Sequence, residues 1–192
     1  MKAIIFDFYG VIRADGQLMW LLENNLKSDG VIRKANDTYC EGRISRDEYL
    51  EILSSISKQK PDDIKQRMSD LAVIDPEMVE LIRKLRENYK IALLTNSAES
   101  TRISVEESQL DRLFDVMVFS HEMGMIKPDF AIYKYALEKL DVLPSEAVFI
   151  DDKLENVEAA QRVGMEGIVF DGIPKMLADL LQKGVDINDF IG

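Results

Sequence analysis

Cysteine is almost absent from this chain, which has only Cys40 among its 192 residues. A single cysteine cannot form an intrachain disulfide, and this agrees with a reducing compartment. No metal-binding pattern of residues surrounds Cys40. We therefore interpret it as a small apolar residue that fills space.

Long hydrophobic runs are also missing. No apolar stretch approaches the roughly 18 residues that a membrane-spanning helix needs. The first residues, Met-Lys-Ala-Ile-Ile, lack the basic, apolar and cleavage-site layout of a secretory signal peptide. Together these absences predict a soluble, cytoplasmic protein.

Positive charge is scarce, with 24 basic residues against 35 acidic ones and a formal net charge of −11. Phosphate backbones and anionic lipids repel such a surface, so we expect neither nucleic acid nor a membrane as a partner. A small anionic substrate remains compatible with this charge. A local cation or a bound metal inverts the electrostatic field within one pocket.

The segment from Lys2 to Ile12 is predicted to form the central strand of the fold. Its near-continuous apolar run, residues 3–6, suits a parallel sheet that is covered by helices on both faces. The run ends at Asp7, and Gly10 then permits a sharp backbone turn. Asp7 is thus expected at the carboxyl end of a strand, where open α/β sheets bind their ligands. An alternative is that Asp7 only caps the next segment.

The next sixty residues contain no convincing strand. Helical apolar spacing and capping signals predict four helices, over residues 17–26, from a cap at Ser28 or Asp29 to Tyr39, from Ser45 to Ile56, and from Pro61 towards Ala72. Residues 15–74 are therefore predicted to be an all-helical cap, inserted after the first strand.

From residue 75 onwards, predicted helices alternate with strands at 90–95, 116–119, 147–151 and 167–170. Such alternation predicts a doubly wound, Rossmann-like parallel sheet with right-handed crossovers. The predicted fold class is thus α/β, with a core of residues 1–14 and 75–192 and the helical cap. Residues 184–192 show no clear periodicity and are predicted to be a tail.

Polar residues follow four predicted strands: Asp7, then Thr95-Asn96-Ser97, then Lys127-Pro128-Asp129, and finally Asp151-Asp152. In a parallel sheet these positions share one edge. A carboxylate nucleophile, hydrogen-bond donors, a lysine and an acidic pair together suit phosphoryl transfer through an aspartyl intermediate. Mg²⁺ held by Asp7 and Asp152 would neutralise the phosphate charge.

Each of these segments also has a purely structural interpretation. Residues 95–97 are able to cap the following helix, and Asp129 is able to cap another. The pair Asp151-Asp152 is able to interact favourably with the N-terminus of the helix that begins near Lys153. The occurrence of all four segments in this order favours a functional interpretation.

The ordered motifs resemble those of the haloacid dehalogenase-like hydrolase superfamily over nearly the whole chain. The first motif stands here as Asp7-Phe8-Tyr9-Gly10-Val11 and the second as Thr95-Asn96. Lys127, within Lys-Pro-Asp, matches the third, and Asp151-Asp152 matches the fourth. The helices after the first motif resemble the small cap of the subfamily that includes dehalogenases and many sugar-phosphate phosphatases.

The resemblance implies a role for each matching residue. Asp7 would be the nucleophile and a Mg²⁺ ligand, and the main-chain carbonyl of Tyr9 and the carboxylate of Asp152 would complete the ligand set, with Asp151 in support. Thr95 and Asn96 would hold the phosphate, and Lys127 would bind it and orient Asp7.

Tyr9 departs from the family pattern, because phosphatases of this family usually carry a second aspartate there as general acid and base. A tyrosine with a pKa near 10 is a poor base at neutral pH. Haloacid dehalogenases carry tyrosine at this position, so a dehalogenase is the main alternative. Dehalogenases, however, typically replace the acidic pair that this chain retains. A catalytically weak protein that binds metal or a phosphorylated ligand is the third hypothesis.

Substrate choice is expected to depend on cap residues that face the site. Arg13, Trp20 and the turn at Gly42-Arg43 are candidates, although Trp20 also fits a position in the core of the cap. His121 is a candidate base, with a surface or loop role as the alternative. The predicted partner is a small phosphorylated substrate, and the oligomeric state is left open between monomer and homodimer.

Overall fold

The computed structural model describes residues 1–187, and its centre is a parallel β-sheet. The described strands are β1 (Ala3–Phe6), β2 (Lys90–Thr95), β3 (Val116–Phe119), β4 (Ala147–Asp151) and β5 (Glu166–Val169), in the spatial order β3-β2-β1-β4-β5. Ile5 on β1 lies opposite Ala92 on β2 and Phe149 on β4. All four residues of β1 are fully buried, as its apolar run predicts. The predicted α/β class is confirmed.

Helices cover both faces of the sheet. They are α5 (Pro76–Leu85), α6 (Glu99–Glu107), a short α7 (Ser120–Met123), α8 (Phe130–Leu140), α9 (Leu154–Val163) and α10 (Ile173–Gln182). Phe6 packs on one face with residues of α5 and α10, such as Ile82 and Met176. Ile5 packs on the other face with residues of α8 and α9. Two hydrophobic cores therefore enclose the sheet, as in a doubly wound fold.

Four helices lie between β1 and α5, and we call them the four-helix segment. They are α1 (Gly16–Glu23), α2 (Gly30–Cys40), α3 (Arg46–Ser57) and α4 (Pro61–Leu71). They share a separate hydrophobic cluster around Trp20, Leu53 and Ile64. The predicted caps form, since Asp29 caps α2 while Ser45 and Glu48 form a capping box on α3.

The chain leaves and re-enters the α/β part through two adjacent linkers. The amide of Ala14 donates to the carbonyl of Val73, and the amide of Asp75 donates to the carbonyl of Ile12, each at 2.9 Å. These bonds hold the entry and the exit of the four-helix segment side by side. The segment also contacts the α/β part away from these linkers, where the hydroxyl of Ser120 donates to the carbonyl of Cys40 at 2.6 Å.

Several predicted boundaries differ from the structure. Helix α10 was not predicted, although Ile173, Met176 and Leu180 are buried at helical spacing. Helix α7, which follows β3 directly, was not predicted either. Of the predicted tail, Val185 and Ile187 are buried against the core, whereas residues 188–192 lie outside the described range. No helix within residues 1–187 is long and apolar enough to cross a membrane.

Candidate active site

Three strand-end segments bring a lysine between two carboxylates. Lys127 Nζ lies 2.8 Å from Asp7 Oδ1 and 2.6 Å from Asp151 Oδ2. It also donates to the carbonyl of Leu94, at 3.0 Å. All three charged side chains are buried. The predicted convergence of Asp7, Lys127 and Asp151 at one edge of the sheet is therefore observed.

Asp152 completes a cluster of three acids with Asp7 and Asp151, whose carboxylate oxygens lie within 4.8 Å of one another. Asp151 is held by the Asn156 amide at 3.0 and 3.1 Å and by the amide of Lys153 at 2.8 Å. Asp152 Oδ1 is buried and has no hydrogen-bond partner in the described part of the chain. An unpartnered carboxylate oxygen within an acidic cluster is a suitable cation ligand.

Gly10 allows the first-motif turn to approach Asp152 closely. Its φ angle is +84°, and a Cβ atom at this position would lie 2.6 Å from Asp152 Oδ2. A residue other than glycine would therefore be strained and would displace this carboxylate.

Burial dominates the electrostatics of the acidic cluster. It raises the pKa of Asp7 above the usual aspartate value; the ion pair with Lys127 opposes this shift, and the charge of Asp151 adds to it. The pKa of Asp152 is also raised, mainly by burial. A cation bound among these carboxylates would favour their charged forms.

Asn96, in the segment that follows β2, bonds to the backbone of Lys127 and does not cap the next helix. The Asn96 side-chain amide donates to the carbonyl of Lys127 at 2.9 Å, and its oxygen accepts from the Lys127 amide at 2.7 Å. Helix α6 has Ala98 as its N-cap and receives no side-chain capping bond. The capping interpretation of residues 95–97 is therefore wrong. The Thr95 hydroxyl is buried and unpartnered among residues 1–187, so it is available to a ligand.

Asp129 has the capping role that its structural interpretation states, whereas Asp151 lies at the start of α9 without capping it, since the N-cap of α9 is Lys153 and the helix receives no side-chain capping bond from the described residues. Asp129 caps α8 by accepting from the Ala131 amide. Asp151 accepts from the Lys153 amide just before α9, and it also contacts Lys127. The same short segments thus begin helices and supply the charged cluster.

The side chain of Tyr9 is poorly suited to proton transfer. Its hydroxyl lies 3.0 Å from the hydroxyl of Thr101 on α6. Burial raises the pKa of Tyr9 above 10. A phenol with this pKa keeps its proton at neutral pH and is a poor base.

The charged cluster opens into a cleft of about 780 Å³ between the α/β part and the four-helix segment. The lining includes Asp7, Asn96 and Lys127 from the strand ends, and Tyr39, Tyr49 and Leu50 from α2 and α3. The rings of Tyr39 and Tyr49 stack with centroids 4.9 Å apart. The cleft is thus charged at the strand ends and partly aromatic on the opposite side.

The candidate specificity residues have different positions. Arg13 lines the cleft, whereas Trp20 is buried in the cluster of the four-helix segment, as its alternative interpretation states. Arg43 pairs with Glu41, and Gly42 lies against the backbone of His121. His121 Nδ1 lies 3.1 Å from the Ser97 carbonyl, which favours a structural role for this loop residue.

Two cleft features were not predicted. Cys40 is buried, as expected of a filler, but it also borders the cleft, and burial raises the pKa of its thiol to about 12. Lys153 also lines the cleft. Burial lowers its pKa, but the charges of Asp7, Asp15 and Asp152 outweigh this effect, so that the pKa is raised overall. The position of Lys153 directly after the acidic pair is the sequence signal that could have identified it.

The chain has an α/β fold with a charged cluster at the carboxyl ends of its parallel strands, and comparisons with known proteins identify it as a hydrolase and give its family. The model of the haloacid dehalogenase-like hydrolases matches residues 1–164. The chain belongs to this family.

Relatives that align with nearly the whole chain support this family assignment. The chain is 34% identical over 202 residues to a phosphorylated carbohydrates phosphatase of Thermotoga maritima, covering 96% of this chain and 92% of that protein. It is 29% identical over 198 residues to the sesquiterpene phosphatase astK of Aspergillus oryzae, covering 100% and 97%. A family enzyme of Bacteroides thetaiotaomicron, solved with magnesium and inorganic phosphate, shares the fold with a TM-score of 0.72 at 21% identity, with both chains fully covered.

Proposed function

We propose that this hydrolase is a Mg²⁺-dependent phosphatase that acts on a small phosphorylated metabolite through an aspartyl-phosphate at Asp7. The observation that carries the proposal is the buried Asp7 carboxylate, 2.8 Å from Lys127 and beside Asp151 and Asp152. Relatives that are named as phosphatases of phosphorylated carbohydrates and of D-ribitol 5-phosphate support this substrate class.

The donor set fits Mg²⁺, which prefers carboxylate oxygens. Asp7 and Asp152 and the main-chain carbonyl of Tyr9 would hold the ion, and Asp151 would support it. The unpartnered Asp152 Oδ1 and the close approach of Gly10 to Asp152 support this assignment. When bound, Mg²⁺ supplies positive charge that offsets the repulsion between carboxylate and phosphate.

In the first step, a carboxylate oxygen of Asp7 attacks the phosphorus atom. A new bond forms between this oxygen and phosphorus, and the ester bond between phosphorus and the leaving oxygen breaks. Lys127 orients Asp7 and offsets the charge of the phosphoryl oxygens, while Thr95 and Asn96 donate hydrogen bonds to them. The leaving oxygen takes its proton from water, because Tyr9 keeps its own.

In the second step, a water oxygen attacks the phosphorus of the aspartyl-phosphate. The bond between phosphorus and Asp7 breaks, which restores the carboxylate and releases inorganic phosphate. The proton of this water passes to bulk water, because Tyr9 keeps its own proton at neutral pH and cannot accept another. General base catalysis contributes about 10²–10⁴-fold in rate, so we expect hydrolysis of the intermediate to limit turnover.

The four-helix segment serves as the cap in this proposal. Residues 15–74 form it, and residues 1–14 and 75–192 form the catalytic core. The cleft between them receives the substrate. The cytoplasmic location and the choice between monomer and homodimer stay predictions from the sequence.

The test is an assay with a generic aryl phosphate and a panel of sugar phosphates, with and without Mg²⁺. We expect turnover that requires Mg²⁺ and is abolished in Asp7→Asn, a variant that removes the nucleophile and keeps its size. Chelation should stop the wild-type reaction, and adding Mg²⁺ should restore it.

A dehalogenase is the second candidate, because Tyr9 occupies the position of the usual second aspartate. Halide release from a 2-haloacid without metal, together with no phosphatase activity, would replace the proposal by this alternative. Binding of Mg²⁺ or a phosphorylated ligand without turnover of either substrate would indicate a protein that has kept the site without its reaction.

A further inference from the structure

Arg13 has a rigidly held guanidinium group at the wall of the cleft. Its Nε donates to the carbonyl of Ala72 at 2.7 Å, and its Nη1 donates to the hydroxyl of Ser104 on α6 at 2.6 Å. The remaining N–H groups have no acceptor within residues 1–187, and Arg13 borders the cleft. Two neutral oxygens thus position the charge without neutralising it.

The absence of an acidic partner distinguishes the cleft arginines from those elsewhere. Outside the cleft, most described arginines pair with a carboxylate: Arg43, Arg67, Arg83, Arg86, Arg102 and Arg162. Arg13 and two other cleft arginines, Arg33 and Arg46, form no ion pair with any described carboxylate. Arg33 and Arg46 are exposed at the rim, whereas Arg13 is partly buried and held by two bonds. In a chain with a net charge of −11, Arg13 is thus a partly buried positive charge without a direct carboxylate partner among the described residues, in a cleft that Asp15 and Glu107 also line.

Helix α6 places Arg13 close to the reacting centre. The Tyr9 hydroxyl contacts Thr101, and Arg13 contacts Ser104, three residues further along the same helix. Residues with this spacing are neighbours on a helix surface, about 5–6 Å apart. The guanidinium therefore lies beside Tyr9, which follows the proposed nucleophile Asp7 by two residues. A substrate group that binds Arg13 would therefore be separate from the phosphate that reaches Asp7, although both belong to the same substrate molecule.

We infer that Arg13 binds a second anionic group of the substrate. The preferred substrates are phosphate monoesters that also carry a carboxylate or a second phosphate. The three N–H groups that remain on Nη1 and Nη2 are able to donate to either oxyanion, and a charge-assisted hydrogen bond of this kind is stronger than a neutral one. This inference rests on the proposed function and adds a substrate class to it.

A purely structural role makes a different prediction. The bonds to Ala72 and Ser104 join the exit of the four-helix segment to α6, so removing them lowers stability. Such a loss changes activity towards all phosphate esters by a similar factor. Recognition of a second anion changes the ratio between matched substrates, mainly through KM, because the anion is remote from the reacting phosphorus.

The experiment compares kcat/KM for two matched pairs: 3-phosphoglycerate against glycerol 3-phosphate, and fructose 1,6-bisphosphate against fructose 6-phosphate. The first pair tests a carboxylate as the second anion and the second pair tests a phosphate. We expect the wild type to prefer the more anionic member of at least one pair by about ten- to a hundredfold. Arg13→Gln should abolish this preference, and Arg13→Lys should retain part of it. The control is Arg112→Gln, since Arg112 also lacks a described ion pair but lies outside the cleft.

Binding to Asp7→Asn, measured by calorimetry, tests the inference without turnover. We expect 3-phosphoglycerate or the bisphosphate to bind at least about tenfold more tightly than its matched partner, and Arg13→Gln in this background to remove the difference. Equal affinities, or a preference that survives Arg13→Gln, would overturn the inference. Absence of turnover with a retained binding preference would instead contradict only the proposed reaction.

Discussion

Replacing Lys127 by methionine should destabilise the protein strongly, because it removes the only cation that contacts both Asp7 and Asp151 within residues 1–187. The Lys127 side chain is 1% exposed, and those of the two acids are 7% and 0% exposed. Breaking a buried pair by removing one partner typically costs about 3–5 kcal/mol. Methionine fills a similar volume, so the loss should reflect charge rather than a cavity. We expect a decrease of this size in the unfolding free energy at about pH 8.

The loss should depend on pH. Lys127 lowers the pKa of Asp7, so its removal raises this pKa further above that of an unfolded aspartate. The folded variant then binds more protons than the unfolded chain between about pH 4 and the raised pKa, and its stability falls as pH rises through this window. The wild-type Asp7 pKa is already raised to about 7, so Asp7 is protonated near pH 5 in both proteins, and the deficit grows only above about pH 7, where the wild-type carboxylate ionises beside Lys127. The deficit relative to the wild type should therefore be larger near pH 8 than near pH 5.

Urea unfolding in the presence of a chelator measures both effects. The matched control is Lys175→Met, which removes an exposed lysine from its ion pair with Asp179 on α10. Exposed helix pairs of this kind contribute little to stability, because solvent screens them. A loss in Lys127→Met of under about 1 kcal/mol at pH 8, or an equal loss at both pH values, would refute the electrostatic reasoning.

Two further predictions concern the edges of the site. Gly10→Ala should lower the unfolding free energy by about 1–2 kcal/mol, because alanine is strained at a positive φ angle. The variant should also bind Mg²⁺ more weakly, because the added Cβ atom displaces Asp152, and calorimetric titration measures this affinity. The control for backbone strain is Gly124→Ala, since Gly124 has a φ angle of +62° and a Cβ atom there would have no neighbour within 4 Å. If both variants bind Mg²⁺ equally, Gly10 has no role at the metal site. Burial raises the pKa of the Cys40 thiol from 9.0 to about 12. Cys40 should therefore react with iodoacetamide near pH 8 about a thousandfold more slowly than an unfolded cysteine. Labelling in urea gives the reference rate, and equally fast labelling of the folded protein would contradict this prediction.

The positions of the strand ends were predictable because the local signals were strong. Apolar runs ended at Asp7 and Asp151, and the alternation of strands with helices indicated a parallel sheet. A parallel sheet brings these ends to one edge. The capping residues Asp29 and Ser45 were also recognisable, because a cap bonds to an amide only two or three residues away.

Other features were beyond local signals. A helix was missed at α10, where Gly172 and Pro174 stand at its start although its apolar spacing is helical. The capping interpretation of residues 95–97 was wrong, because the side chain of Asn96 bonds to the backbone of Lys127, 31 positions away. A sequence shows that a side chain can form such bonds, but it does not show which partner the packing brings within reach.

The sequence by itself determined where the strands and most of the helices lie along the chain and which chemical groups follow the strands, because propensity, periodicity and capping act over a few residues. Only the tertiary structure decided the contacts of Tyr9 with Thr101 and of Arg13 with Ser104, each more than ninety residues apart. Burial, which raises the pKa of Asp7 and leaves Asp152 Oδ1 without a hydrogen-bond partner among residues 1–187, is likewise a property of the packed chain. The physical reason is that distance and desolvation depend on how whole elements pack together, and no short stretch of residues encodes that geometry.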